Sequence, residues 1–332
     1  MTRFFLGLFT ALALPPAVFG LVLAVLDAGG RLPPPAFSGR WDVDRKLQDL
    51  RAGRPERIDL LLLGSSTTFY GVDGGLLGRL LPDRPAVFHA SSPGLKVHQT
   101  LFLARFYLDR FPEVRRAVMV STPLDFERCA PGEARLFPPQ EVARYLAGRG
   151  AELLWQLRRP DPGAVWRALG GGAAAAMPLR RLDLPVLDPY GGQLVDPPPE
   201  AVPEAVRRGV FPDPDPRCYR ALAELAGELA ARGVVFLFAQ APLRPSYLAA
   251  YDAGGARLAR HLARVRAIVE ERGGRVLDLH RLLALPEEAF FDAYHIRAPF
   301  VRRQTEALAA ALAAPAPPLP EVAFGYGPGP WP

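Results

Sequence analysis

Residues 58–71 read IDLLLLGSSTTFYG, an apolar run that stops abruptly at a Gly-Ser-Ser-Thr-Thr turn. A continuous apolar stretch of this length, closed by turn residues, fits a strand covered on both faces, the habit of parallel sheets under two layers of helix. Parallel neighbours require crossover connections, so the remaining chain should alternate strand and helix. It does. Strands are predicted at 58–63, 86–89, 116–121, 233–240 and 275–279, with helices at 41–51, 97–111, 218–232, 257–272 and 300–313. The expected architecture is therefore α/β, a mainly parallel sheet flanked by helices in a three-layer, flavodoxin-like arrangement. Open sheets of this kind carry their chemistry just beyond the carboxyl ends of the strands, which is where the Ser65-Ser66 turn falls.

Two segments stand outside the alternation. Residues 4–26 are uncharged and mostly apolar, between Arg3 and Asp27, long enough for one transmembrane helix and a better fit to a retained span than to the shorter apolar centre of a cleaved signal, which is the alternative. Residues 1–28 are thus expected to be a membrane anchor, and 29–57 a Gly/Pro-rich juxtamembrane linker followed by a helix. The flanking charges disagree about orientation: Arg3 favours a cytoplasmic start, whereas Arg31, Arg40, Arg45 and Lys46 favour the reverse. The second segment, 126–216, interrupts the α/β domain of 58–313 with helical pieces at 139–148 and 151–159, a glycine run at 170–172 and many prolines. An insertion of this length is either a cap over the site or a surface excursion. Residues 314–332 form a Pro/Gly tail unsuited to regular helix.

Composition excludes some functions. At 49% hydrophobic and 22% charged the chain is a folded protein, and its net charge of +6 comes from arginines spread along the sequence rather than a basic stripe interleaved with aromatics. No nucleic-acid partner is expected. No pair of His, Cys, Asp or Glu has the spacing of a zinc or calcium motif, so neither a metal nor a cofactor is expected. Cys129 and Cys218 permit one disulfide in an oxidising compartment, with isolated buried thiols as the alternative.

The candidate chemistry is nucleophilic. A serine hydroxyl needs a neighbouring base, and an imidazole base needs a carboxylate to fix its tautomer. Ser66 supplies the hydroxyl. Asp292 and His295, three apart in Asp-Ala-Tyr-His, supply the pair, in the permitted chain order Ser…Asp…His. The other histidines, at 89, 98, 261 and 280, read as structural or surface residues, with His98 the nearest to the site. Ser91, Ser92 and Lys96 border it as candidates for substrate contact, with the alternative that hydroxyls in a Pro-Gly loop satisfy backbone groups.

These blocks resemble the SGNH, or GDSL-like, hydrolases. Gly64-Ser65-Ser66-Thr67-Thr68 with Gly71 is similar to the first block, with Ser66 as nucleophile. His89-Ala90-Ser91-Ser92-Pro93-Gly94 is similar to the second, whose glycine donates a backbone N–H to the oxyanion. Residues 120–126 (VSTPLDF) stand where the third belongs, and Asp292-x-x-His295 matches the fifth. The resemblance implies an oxyanion hole from the N–H groups of Ser66 and Gly94, with Thr122 in support. Two positions depart: Ser65 replaces the first-block Asp, and the third-block Asn is absent, with Ser121 or Thr122 nearest. One missing oxyanion donor typically costs ~10²–10³ in turnover. The Gly-Ser-Ser start is more similar to the membrane-anchored branch that includes teichoic acid D-alanine transfer and polysaccharide O-acetylation proteins. That branch implies an extracytoplasmic domain, an acylated envelope glycan or lipid as substrate, and a membrane-bound acyltransferase as partner. A degenerate envelope protein that binds glycan or partners such an enzyme is the other expectation.

Overall fold

The computed structural model describes residues 2–170, 187–198 and 204–314. Its strands are β1 (Leu60–Gly64), β2 (Val87–His89), β3 (Arg116–Ser121), β4 (Val235–Gln240) and β5 (Arg275–Asp278), and all pair in parallel in the order β2-β1-β3-β4-β5. The α/β architecture expected from the apolar runs is present. Strand side chains alternate between two helical layers, as a period of two requires. Leu61, Leu63, Ala117, Met119, Phe236 and Phe238 enter one core, Leu60, Leu62, Val118, Val120, Leu237 and Ala239 the other. With both faces covered, no strand position needs to be polar, which explains the unbroken run in β1.

The first core is closed by α2 (Trp41–Arg51), α5 (Val97–Arg110), α10 (Pro216–Ala231) and α12 (Ala256–Glu270). The second is closed by α4 (Gly74–Leu80), α13 (Leu279–Leu283) and α14 (Ala298–Ala313). Helix α4, GGLLGRL, has poor intrinsic propensity and was not expected. It is held by Asp73, whose carboxylate accepts the Leu76 N–H at 2.8 Å, and by Tyr190, whose ring lies where a Cβ on Gly75 would come within 2.7 Å. Shorter helices are α3 (Ser66–Phe69), α9 (Glu204–Arg208) and α11 (Pro245–Tyr251).

Helix α1 spans Thr2–Ala28 and passes through Pro15 and Pro16. Its side-chain environment is described at Phe5 and from Leu12 onward, and among the described residues no helix is long and apolar enough to cross a membrane. The expected span therefore rests on the 4–26 sequence run alone. The insertion contributes α6 (Pro139–Leu146), α7 (Glu152–Arg158) and α8 (Pro162–Ala168), and no strand among its described residues. Its segment 187–198 lies along the sheet edge: Tyr190 O accepts the His89 N–H at 2.8 Å and Phe69 O accepts the Gln193 N–H at 3.1 Å. Most of the expected Gly/Pro tail and of the glycine run lies outside the described residues. Cys129 and Cys218 form a disulfide that joins the chain after β3 to α10, settling the alternative of isolated thiols.

Candidate functional site

Because β2 lies on one side of β1 and β3 on the other, the connections leaving the carboxyl ends of β1 and β3 diverge, opening the crevice where doubly wound sheets place their ligands. Ser66 opens α3 directly after β1 and is partly exposed at this point. The turn that presents it is bolted to β3. Thr68, fully buried, has its hydroxyl 2.7 Å from Leu63 O and 2.8 Å from Val120 O and accepts the Val120 N–H at 3.0 Å, while Thr67 donates to Val120 O at 3.0 Å. Gly64 has φ +115°, and a Cβ there would stand 2.8 Å from Thr68 Oγ1 and 3.1 Å from Val120 O. Only glycine fits this corner.

Asp292 and His295 occupy the tip of a narrow loop pinched by an antiparallel bridge between Phe290 and Ile296. Asp292 Oδ1 accepts the N–H groups of Tyr294 (3.0 Å) and His295 (2.8 Å), the local turn that short acidic side chains favour. Its other oxygen, Oδ2, lies 2.6 Å from His295 Nδ1, and His295 Nε2 lies 2.7 Å from Ser66 Oγ. The two regions meet because α14, which follows His295, is tied to the chain after Ser66. Gln304 donates to Gly71 O at 2.7 Å and Thr305 Oγ1 accepts the Asp73 N–H at 3.2 Å, both from buried positions. Phe291 stacks on the imidazole at 5.3 Å, Tyr70 meets it edge-on at 5.7 Å and Tyr294 lies against it at 4.6 Å. These rings leave the imidazole one orientation.

The oxyanion candidates fare unequally. The Ser66 N–H belongs to the first turn of α3, where helix geometry leaves donors unbonded. Gly94, at φ +74°, is exposed at the tip of the loop after β2, and Ser92 N–H to Gly64 O at 3.2 Å holds that loop beside the end of β1. The Thr122 N–H is taken by Asp125 Oδ2 at 3.1 Å, leaving its hydroxyl as the residue's one remaining donor. Asp125 also accepts from Ser121 Oγ at 2.7 Å and interacts with Ser65. Burial raises its carboxyl pKa, an effect opposed by those hydrogen bonds and by the charge of Lys96. One buried carboxyl group thus sits between the two positions, 65 and 122, where the sequence departs from the SGNH pattern.

Asp125 was not singled out from sequence, nor was buried Lys46. Lys46 Nζ donates to Ser91 O at 2.6 Å and lies 4.8 Å from the Phe69 ring centroid, and desolvation lowers its pKa to about 8. Lys96 similarly reaches Leu124 O at 2.6 Å. A usable signal existed: in a chain of 40 basic residues only these two are lysines, and each reaches a backbone carbonyl of a site loop. Ser91 and Ser92 engage His89 Nδ1 (3.1 Å) and Arg40 Nε (3.1 Å). His89 is fully buried, and desolvation drives its pKa down to about 3. His261 pairs with the Tyr219 hydroxyl at 2.8 Å, His280 accepts the Leu243 N–H at 3.3 Å, and His98 is buried near Glu133. Among the described residues no group of three or more His, Cys, Asp or Glu side chains is placed to hold a metal ion.

The crevice beside His295, lined by Tyr70, Pro242 and Tyr294, has a volume of about 10 Å³. That is room for about one water molecule. Across the Asp292–His295 loop a wider recess of about 380 Å³ is bordered by Phe290, Phe291, Arg207, Arg244, Arg297, Glu287 and Glu288, with Arg244 paired to Glu287 and Arg297 to Asp196. Compared with known proteins, the chain matches no family model and no curated sequence.

Proposed function

We propose that this protein is an SGNH-like serine esterase or O-acyltransferase, anchored in the cytoplasmic membrane by its amino-terminal helix and acting outside it on acyl esters of an envelope glycan or lipid. The observation that carries the reading is the continuous relay from Ser66 Oγ to His295 Nε2 (2.7 Å) and from His295 Nδ1 to Asp292 Oδ2 (2.6 Å). Ser66 attacks the acyl carbonyl while His295 takes its proton, and Asp292 stabilises the imidazolium and fixes its orientation. The tetrahedral oxyanion is met by the N–H groups of Ser66 and Gly94, with the Thr122 hydroxyl in support. Collapse releases the alcohol, which recovers the proton from His295 and leaves an acyl-Ser66. Water or a sugar hydroxyl, deprotonated by the same imidazole, then takes the acyl group.

The recess across the Asp292–His295 loop offers space for an acceptor larger than water. The Cys129–Cys218 disulfide suits an oxidising compartment, in keeping with an extracytoplasmic domain. A membrane-bound acyltransferase is the natural source of acyl groups if the chemistry is transfer.

A second reading is favoured by one observation, the engagement of the Thr122 N–H with Asp125 in the absence of the third-block Asn. It makes the protein a binding module that keeps the fold without the turnover. Hydrolysis of p-nitrophenyl acetate separates the two. The enzyme reading predicts turnover abolished by Ser66→Ala with an unchanged circular dichroism spectrum. Equal rates in wild type and variant would remove Ser66 from the chemistry.

A further inference from the structure

Helices α7 and α8 each hide one side and show an apolar one. Trp155, Gln156 and Val165 are buried, whereas Leu154 (55%), Leu157 (47%), Trp166 (62%) and Leu169 (46%) are exposed. Each exposed pair is spaced i, i+3 and so shares a helix face. Large apolar side chains exposed along a shared helix face mark a contact site.

The position of this face identifies what it meets. The last turns of α1 pack on α7 and α8: Leu23 and Leu26 are buried in one cluster with Val165. The chain that follows is tied to the same pair, through Arg31 to Ala168 O, Gln156 to Pro33 O, and the Ala36 N–H to Arg159 O at 2.9 Å. Along a helix axis, the four-residue step from Leu23 to Asp27 covers about 6 Å. Interfacial helices embed to a similar depth, about 5–10 Å. Elsewhere on α1, Val18, Leu21 and Val25 are 51%, 66% and 61% exposed, extending the apolar surface along the helix. Around this surface, Arg31, Arg149 and Arg158 are exposed and have no acidic partner among the described residues. An apolar face that carries a tryptophan and is edged by arginines without acidic partners matches the interfacial layer of a bilayer with anionic headgroups.

We propose that α7 and α8 form a platform that lies in the interfacial layer of an anionic membrane, embedding Leu154, Leu157, Trp166 and Leu169 beside the end of α1. It rests on the membrane-anchored reading given above. The platform holds the α/β domain at a fixed height over the lipid, where a loose linker would let it swing.

The test uses the full-length protein in nanodiscs of phosphatidylcholine and phosphatidylglycerol with brominated acyl chains, and takes the emission difference between wild type and Trp166→Phe as the Trp166 signal. The expected result is at least two-fold quenching of that signal by brominated lipid and protection from aqueous iodide. Substituting Arg149 and Arg158 by Gln should weaken the lipid quenching. Iodide quenching without lipid quenching would place Trp166 in water and overturn the platform while leaving the anchor intact. Quenching by neither would mean that protein covers the face, and would overturn the platform as well. Failure of the protein to co-purify with nanodiscs at all would overturn the anchor and the platform together.

Discussion

Replacing Thr68 by valine removes one oxygen atom from beneath the nucleophile and nearly preserves volume. The hydroxyl carries a single hydrogen, so it donates to either Leu63 O (2.7 Å) or Val120 O (2.8 Å), and it accepts the Val120 N–H (3.0 Å). In Thr68→Val the Val120 carbonyl keeps its bond from Thr67. The Val120 N–H also faces Leu63 O in the parallel β1–β3 ladder and keeps that backbone partner, so the substitution removes the buried hydroxyl's own bonds without stranding a donor. Loss of a buried hydrogen bond of this kind costs about 0.5–1.5 kcal/mol. At a urea slope of about 3 kcal/mol per M this lowers the unfolding midpoint by roughly 0.2–0.5 M. Ester hydrolysis should fall as well, because the turn that aims Ser66 at His295 loses its main tie to β3. Since Thr67 and Thr68 share the Val120 carbonyl, the double substitution with Thr67→Val should depart from additivity. An unchanged midpoint together with an unchanged hydrolysis rate in Thr68→Val would refute the claim that this hydroxyl fixes the turn.

Asp292→Asn should keep its carbonyl toward the Tyr294 and His295 amides and turn its NH₂ toward His295 Nδ1, forcing the wrong tautomer. A fall in kcat of roughly 10⁴ is expected, and a loss under tenfold would contradict the orienting role. His89 is held neutral by burial with a pKa of about 3, against 6.5 when unfolded. Between those values the unfolded chain binds the extra proton, so stability rises with pH through this window and is lost as pH falls. Urea midpoints measured from pH 6.5 to 4 should give wild type a steeper slope than His89→Gln, by about 1.4 kcal/mol per pH unit. Equal slopes would show that His89 takes no part in acid unfolding.

The residues legible in sequence were those whose neighbours along the chain carry the signal. The apolar run ending in β1 announces burial on both faces, and the spacing of Asp292 and His295 is enough to place them on one side of a tight loop. Helix α14 was recognisable from its periodicity, but its ties through Gln304 and Thr305 to Gly71 and Asp73, which bring the two halves of the site together, depend on a register no local pattern encodes. Asp125 and Lys46 escaped for a related reason. A charged residue in sequence reads as solvated, and only the packing of the loops after β2 and β3 shows each buried against backbone groups. The missing third-block Asn was visible as an absence. The engagement of the Thr122 N–H with Asp125 was not, because it depends on the 3-10 turn of Pro123–Phe126. Helix α4 was lost because its glycines argue against helix, and the Tyr190 ring that requires them comes from more than a hundred residues downstream.

The central claim is that Ser66 is an activated nucleophile, and covalent capture tests it most directly. Full-length protein treated with a fluorophosphonate, digested and mapped by mass spectrometry should carry one adduct, on Ser66, whose formation slows sharply in His295→Ala. A folded wild-type protein with no adduct, or with its adduct on another hydroxyl such as Ser92 or Ser121, would contradict the account.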